Sequence, residues 1–264
     1  MRFVIDHDYH LHTFLSSCCR EETQTVDRLL RYAEENGLKD ICLTNHFWDD
    51  TVAPPTKWYA PQNVAHVSTA LPLPQSEKVR FHFGGEGDMN EKFIFGIGSE
   101  ARSKMELLVV PFTHMHMTDF VPRETPVETR AVLYVQRMAV YLNSDLPDGK
   151  TGIAHMTTPL IASAQWADHI RLLDLIPDSV FYHWFARAAQ RRFGIELNMT
   201  PSKYTPEELQ SVLRPYFIAK ECGCKFYLGS DSHSEAALQG AMGRFEDMVS
   251  ALSLTEEDKF RPFA

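Results

Sequence analysis

Short β-rich runs alternate with helical patterns along this chain, and almost every run is followed at once by a histidine or an acid. The runs are Phe3–Asp8, Ile41–Thr44, Val79–Phe83, Leu107–Phe112, Gly152–Ala154, Ile195–Leu197 and Phe226–Leu228. Strands that alternate with helices pair in parallel through crossover connections, so the chain reads as α/β. An open parallel sheet binds at one crevice near its switch point, whereas a barrel gathers the C-terminal ends of all its strands around one mouth. Here His10 and His12 follow the first run, His46 the second, Glu86 the third, His114 the fourth, His155 the fifth, and Asp231 and His233 the seventh. Ligand chemistry at so many strand ends favours a closed barrel, with the whole of 1–264 as a single domain.

Local signals support that reading. A helix is expected over Thr23–Asn36, with Val26, Leu29, Leu30 and Ala33 on one face and Asn36-Gly37 at its C-cap. Thr125-Pro126-Val127-Glu128 and Thr205-Pro206-Glu207-Glu208 each match a capping box with Pro in the first turn, and Pro215 is expected to kink or split the second helix. Ala53 to Pro74, rich in proline, is expected to be a long irregular excursion.

Composition removes several function classes. The formal net charge of -9 argues against nucleic acid as the main partner, because phosphate backbones attract Lys and Arg surfaces. The apolar N-terminal run is broken by Asp6, and no later stretch reaches spanning length, so neither a signal peptide nor a membrane span is expected. Five cysteines, two of them adjacent at Cys18-Cys19, fit a reducing cytoplasm better than a disulfide framework.

Two short stretches carry the strongest chemistry. In "DYHLH" the imidazoles of His10 and His12 sit two residues apart on an extended chain, so both can face one ion. In "GSDSH" Asp231 and His233 leave the last strand with the same spacing, and closure of a barrel sets the first and last strands side by side. Imidazole with carboxylate suits Zn, Mn or Fe. The competing reading of the second stretch is a helix N-cap at Asp231 or Ser232. His7, His66, His82, His169 and His183 are read as ordinary structural histidines.

Taken in order, "DYHLHT", "TNHFW", "FGGEGDM", "PFTH", "GIAHMTTP", "IELN" and "GSDSH" resemble the polymerase and histidinol phosphatase (PHP) superfamily, from residue 6 to about residue 240. The resemblance implies a distorted (β/α)7 TIM-like barrel holding two or three divalent ions and hydrolysing phosphate esters. Carried over residue by residue, it implies that His10, His12, Asp231 and a bridging carboxylate hold one ion, and that the same carboxylate with His114 and His155 holds a second. A third would lie between His46, His233 and a residue of the loop after the first strand. The bridging carboxylate is Glu86 or Glu100; Glu86 follows the better strand, while Ser99-Glu100 looks like a helix start. His116 is the alternative to His114. The chain departs from the family in that loop, where Cys18 stands opposite a family histidine, and at Asn45, where the family often has an acid.

The resemblance further implies a small phosphorylated substrate, attacked in line by a metal-activated hydroxide. Asp8, His233, Asp231 and bound water are the groups placed for proton transfer. Arg20, Lys57, Arg130 and Lys203 are candidate phosphate clamps, Asn198 a substrate hydrogen-bonding residue, and Trp48, Trp58 and Tyr59 candidate pocket walls. Histidinol phosphate is the first candidate substrate. A metal-dependent amidohydrolase also opens on His-X-His and ends on Asp, and a metal-stabilised non-catalytic module would carry the same ligands without turnover.

Overall fold

The computed structural model describes residues 1–162 and 166–263. Among them the strands are β1 (His7–Leu11), β2 (Asp40–Leu43), β3 (His46–Phe47), β4 (Arg80–Phe83), β5 (Gly85–Gly87), β6 (Leu108–Val110), β7 (Thr151–Ile153), β8 (Gly194–Leu197) and β9 (Lys225–Leu228). The helices are α1 (Val26–Glu35), α2 (Val64–Val67), α3 (Ser99–Lys104), α4 (Val127–Asn143), α5 (Trp166–Asp174), α6 (Asp178–Gln190), α7 (Pro206–Glu221), α8 (Glu235–Gln239) and α9 (Ala241–Ala251).

Every ladder is parallel, in two sheets of order β1-β2-β4 and β3-β5-β6-β7-β8-β9. The split has a local cause. Past the ends of the second and third expected strands, after Thr44-Asn45 and after Gly84, the chain resumes as the short strands β3 and β5, which join the other sheet. Backbone bonds carry the connection over the breaks: Gly84 N–H donates to Leu43 O at 2.8 Å and Gly85 N–H to Leu107 O at 3.1 Å. The first and last strands meet without a ladder. They are joined by an isolated parallel bridge between Leu11 and Ser232, with Asp231 N–H on His10 O at 2.8 Å and His12 N–H on Ser232 O at 3.3 Å. No unbroken ladder closes the described strands into one barrel.

Strands β1, β2, β6, β7 and β8 are buried at every position, mostly apolar, with the buried polar side chains His7, Asp8, His10, Asp40 and Glu196 held by hydrogen bonds or ion pairs. The expected first strand begins too early. The β1 ladder starts only at His7, while Arg2 and Phe3 pair instead with Thr255 and Leu254, so His10 lies inside β1 rather than after it. Helix α1 forms as the pattern predicts. Thr25 caps it by accepting from Arg28 N–H, and Gly37 leaves it at φ +68°. Its buried stripe is Leu29, Tyr32 and Ala33, with Val26 and Leu30 packed at the edge; full burial of Leu29 contributes about 1.5–3 kcal/mol.

The capping box at Thr205 and Glu208 is present, but Pro126 caps α4 and Thr125 forms no side-chain cap. Pro215 does not split α7, which runs unbroken to Glu221. Helix α3 is capped by Gly98, one residue before the expected Ser99, and α8 by Ser234, which frees Asp231 and Ser232 from the capping alternative. The excursion after β3 is mostly turns but holds α2 and a 3-10 turn at Ser68–Ala70. No helix among the described residues is long and apolar enough to cross a membrane.

Candidate metal centre

The C-terminal ends of six strand positions deliver one buried cluster. His10 comes from within β1 and His12 from its end, His46 from β3, Glu86 from β5, His114 from the turn after β6, His155 from the turn after β7, and Asp231 and His233 from the turn after β9. His10, His12, His46, Glu86, His114 and His155 are buried, while the Asp231 side chain keeps 22% exposure.

Glu86 lies at the centre. Its Oε2 is 3.2 Å from His10 Nε2, 3.2 Å from His12 Nε2 and 2.9 Å from His46 Nδ1. Its Oε1 is 3.2 Å from His155 Nε2 and 3.7 Å from His114 Nε2. Asp231 Oδ1 lies 3.1 Å from His12 Nε2 and 3.5 Å from His10 Nε2, and those two nitrogens face each other at 3.0 Å. Three sets meet at metal-ligand spacing: His10, His12, Glu86 and Asp231; Glu86, His114 and His155; and His12, His46 and His233. A fourth set, His10, His155 and Glu196, contains a residue already bonded to the back of His10.

The hydrogen bonds on the far side of each ring assign its tautomer. His10 Nδ1 meets Glu196 Oε1 at 2.5 Å, His114 Nδ1 meets Asp88 Oδ2 at 2.7 Å, and His233 Nδ1 meets the Asp231 carbonyl oxygen at 2.8 Å. Each partner only accepts, so each Nδ1 carries the proton. Ser16 Oγ donates to Asn45 Oδ1, so it accepts from His12 Nδ1–H at 2.9 Å; Thr113 Oγ1 donates to Ala154 O and accepts from His155 Nδ1–H at 3.3 Å. His10, His12, His114 and His155 therefore turn Nε2 toward Glu86 or Asp231, and His46 turns Nδ1 toward Glu86. Glu86 Oε1, His46 Nδ1 and His233 Nε2 are buried with no hydrogen-bond partner. Such convergence of lone pairs is costly unless a cation is bound or the rings are protonated. The field has the matching sign. Burial pushes the Glu86 and Asp231 carboxyls up, yet the surrounding imidazoles outweigh it and hold both well below the usual carboxylate range. Burial lowers His10, and Glu196, Glu86 and Asp231 outweigh it and raise it well above its ordinary value.

A cavity of about 550 Å³ opens on this cluster, lined by His46, His114, Asp231 and His233 below and by Cys18, Trp58, His116, Met117, Thr118, Asp119 and Leu160 around the rim. Other expected residues fall elsewhere. Glu100 lies on the surface of α3 in an ion pair with Lys104 at 2.7 Å. His116 lines the cavity but joins none of the ligand sets. Cys18 is exposed at the rim and also outside those sets, while Cys19 is buried with its thiol against the His233 carbonyl. Asp8, expected to move protons, has both oxygens engaged away from the cavity: Oδ1 accepts from Ser230 N–H at 3.0 Å and His10 N–H at 3.3 Å, and Oδ2 from Tyr32 O–H at 3.2 Å.

The expected phosphate clamps do not line the cavity. Arg20 and Lys203 are exposed, and Lys57 is exposed on the excursion. The Arg130 guanidinium is committed to the carbonyls of Met115, Pro122, Arg123 and Thr125. Asn198 donates to Gly229 O at 3.1 Å, bracing the turn that carries Asp231. Of the three aromatics, Trp58 walls the cavity, Tyr59 is buried with its hydroxyl on Asp88, and Trp48 packs in the core.

Sequence reasoning missed Glu196, Asp88, Ser16 and Arg137, which support the ligands from behind. Glu196 and Asp88 sit on or beside strands β8 and β5, and no spacing rule marks an acid inside an apolar run as facing a ring from another strand. Gly229 is the one legible trace. A side chain there would collide with the Glu196 carboxylate, so only glycine lets that acid reach His10. Asn45, the departure from the family acid, accepts from Thr13 N–H at 2.8 Å and from Ser16 Oγ, fixing the loop behind His12.

The fold is shared with a solved histidinol phosphate phosphatase from Lactococcus lactis, determined with zinc, L-histidinol and phosphate. The match has a TM-score of 0.62 at 12% identity and covers 97% of this chain and 98% of that one. An archaeal ribonuclease P structure with mature tRNA superposes with a TM-score of only 0.35 at 11% identity, covering 93% of this chain and 91% of that one. No protein-family model and no curated protein sequence matches the chain.

Proposed function

We propose that this chain is a metal-dependent phosphomonoesterase, one domain over 1–264 whose seven strand positions make a distorted (β/α)7 barrel. The observation that carries this is the convergence of five imidazoles, His10, His12, His46, His114 and His155, on Glu86, with Asp231 beside the first two, so that Glu86 spans both halves of the cluster. His10, His12, Asp231 and Glu86 Oε2 would hold one divalent ion, and Glu86 Oε1, His114 and His155 a second. Zn, Mn or Fe in these positions would supply the Lewis-acid charge that draws in a phosphoryl group and acidifies a water.

The chain's own residues do the rest. His12 Nδ1 is tied to Ser16, so its single free lone pair already belongs to the first position. The set around His46 and His233 is then completed only by the Cys18 thiol at the rim; burial pushes that thiol up, but those two rings outweigh it and hold it down at about 7. We read two ions, in the positions that have complete imidazole and carboxylate sets. His233 holds its Nδ1 proton on the Asp231 carbonyl and keeps Nε2 unpartnered at the cavity floor, where it can take up a proton and deliver it to a leaving alkoxide.

The cavity also constrains the substrate. No Lys or Arg lines it among the described residues, one acid, Asp119, stands at its rim, and Trp58, Met117 and Leu160 supply apolar wall. Phosphate charge would be met by the ions alone, and a leaving group that is neutral or cationic fits better than a second anion. Histidinol phosphate, whose leaving alcohol carries an amine and an imidazole, satisfies that chemistry.

Metal analysis of the purified protein, followed by a hydrolysis panel, tests the proposal. We expect two equivalents of metal and phosphate release from histidinol phosphate well above that from nucleotides or sugar bisphosphates. A metal-loaded protein that releases no phosphate from any of them, and instead turns over an amide or a lactone, would refute the proposal.

A further inference from the structure

The two ion positions have the same kinds of ligand but opposite surroundings. Behind His10 stands Glu196, fully buried; its Oε1 takes the His10 Nδ1–H and its Oε2 takes the His155 backbone N–H at 2.7 Å. No cation touches it among the described residues. Behind His114 stands Asp88, also fully buried, and its charge is already answered. Arg137, itself buried, places Nη2 at 3.4 Å from Asp88 Oδ1, and Tyr59 O–H donates to Asp88 Oδ2 at 3.1 Å. The same guanidinium is held by the carbonyls of Phe112, Met89 and Asn90, so it cannot swing away.

Ligand count runs in the same direction. The His10 position gathers four donors, two of them carboxylates, while the His114 position has three, of which the only carboxylate is the shared Glu86. A carboxylate behind a ligating imidazole raises its basicity, and a buried guanidinium close by opposes a dication.

We infer that the two positions differ in affinity by design of the chain. The ion of His10, His12 and Asp231 is retained, and the ion of His114 and His155 is the exchangeable one. The inference rests on the two-ion reading given above. Arg137 is a positioning residue in this scheme: it locks Asp88, hence the His114 tautomer, while keeping the second ion loosely held.

Full-length protein stripped with a chelator and titrated with Zn²⁺ by calorimetry, with metal content read after dialysis, tests this without any activity assay. Two equivalents are expected, with dissociation constants separated by about tenfold or more. His114→Ala should keep a single ion at the tight constant. Asp88→Asn should weaken only the loose ion, by about ten- to a hundredfold, and Glu196→Gln should weaken the tight ion by a similar factor and the loose one less, because Glu196 Oε2 also holds the His155 backbone. Circular dichroism of each variant confirms that it is folded; His114 is buried but borders the cavity, so its truncation opens onto that cavity, and it remains decisive if Asp88→Asn or Glu196→Gln does not fold. Two equal constants, or loss of the tight ion in His114→Ala, would overturn the inference and leave the two-ion reading standing. A folded wild-type protein that binds no Zn²⁺ would remove both.

Discussion

Replacing Glu86 by Gln removes one negative charge from the point where both ion positions meet, at nearly constant volume. Its two oxygens approach five imidazole nitrogens at 2.9–3.7 Å, so both positions lose a ligand at once. A complete four-ligand zinc site is worth about 10–16 kcal/mol, so one ligand in four accounts for about 3 kcal/mol, or about a hundredfold in affinity at each position. At a fixed metal concentration well above the wild-type constant, the same loss removes about 2.7 kcal/mol of ligand-linked stability at each position, about 5.4 kcal/mol for the two. In a chain of this size that lowers the metal-saturated melting temperature by about 10–20 °C. The assay is metal content after dialysis, together with melting curves with and without added Zn²⁺. Glu100→Gln is the control: Glu100 is exposed and paired only with Lys104, so both readouts should match wild type. If Glu86→Gln retains both ions with constants within threefold of wild type, Glu86 is not the bridge and the architecture of the centre argued above is wrong.

Cys18→Ala should keep the wild-type metal content, because Cys18 belongs to no ligand set; a loss of one equivalent would put the thiol back among the ligands. Gly229→Ala should push the Glu196 carboxylate off His10 and weaken the retained ion by about tenfold or more, read by the same titration. Stability should also respond to acid through Asp6. Partial burial pushes its carboxyl up from the ordinary 3.8, but His7 and Lys259 outweigh this and hold it down at about 2. A carboxyl lowered on folding stabilises the fold above pH 3.8 and loses that contribution as pH falls toward 2. The loss is about 1 kcal/mol after allowing for the exposed part of the side chain. Lys259→Met should flatten that limb in chemical denaturation at pH 2 to 4, and an unchanged limb would show that the Asp6–Lys259 pair, 3.0 Å long, contributes nothing.

The residues of the candidate cluster were legible because most leave strand ends, where spacing brings them to the mouth, and His10, inside β1, is marked by its spacing from His12. The parallel α/β class was legible for the same reason: buried strands on both faces need apolar runs. The short strands β3 and β5 were not, since each starts one or two residues past the end of an expected run, at His46 after Thr44 and at Gly85 after Phe83. Pro215 shows a second limit. Its effect on α7 depends on packing around the helix, with Val212, Leu213 and Tyr216 all buried beside it, and no local signal reports that. The phosphate clamps failed for a related reason. A positive charge near a strand end reads alike whether it faces a substrate or, as with Arg130, a row of carbonyls.

The supporting acids show how the frame imposes geometry on the ligands. His155 and Asp231 are both in the left-handed region, at φ 36° and 52°, a conformation that costs of order 1 kcal/mol for residues other than glycine. Each is held there by backbone bonds from the opposite side of the cluster: His155 N–H on Glu196 Oε2 and Asp231 N–H on His10 O. Glu196 therefore fixes two ligands at once, the ring of His10 through one oxygen and the backbone of His155 through the other. The link between the two ion positions is thus double, through Glu86 in front and Glu196 behind. A strained turn on either side is stable only while the strand that opposes it stays in register, which ties the accuracy of the centre to the contact between the first and last strands. That contact is a single bridge and two backbone bonds, with Asp8 pinned to Ser230 beneath it, Leu228 N–H on His7 Nε2 and Ser230 O–H on His10 O. The role of Asp8 follows: it serves the cluster by holding β1 against the turn after β9, where a proton-transfer role would require it to face the cavity.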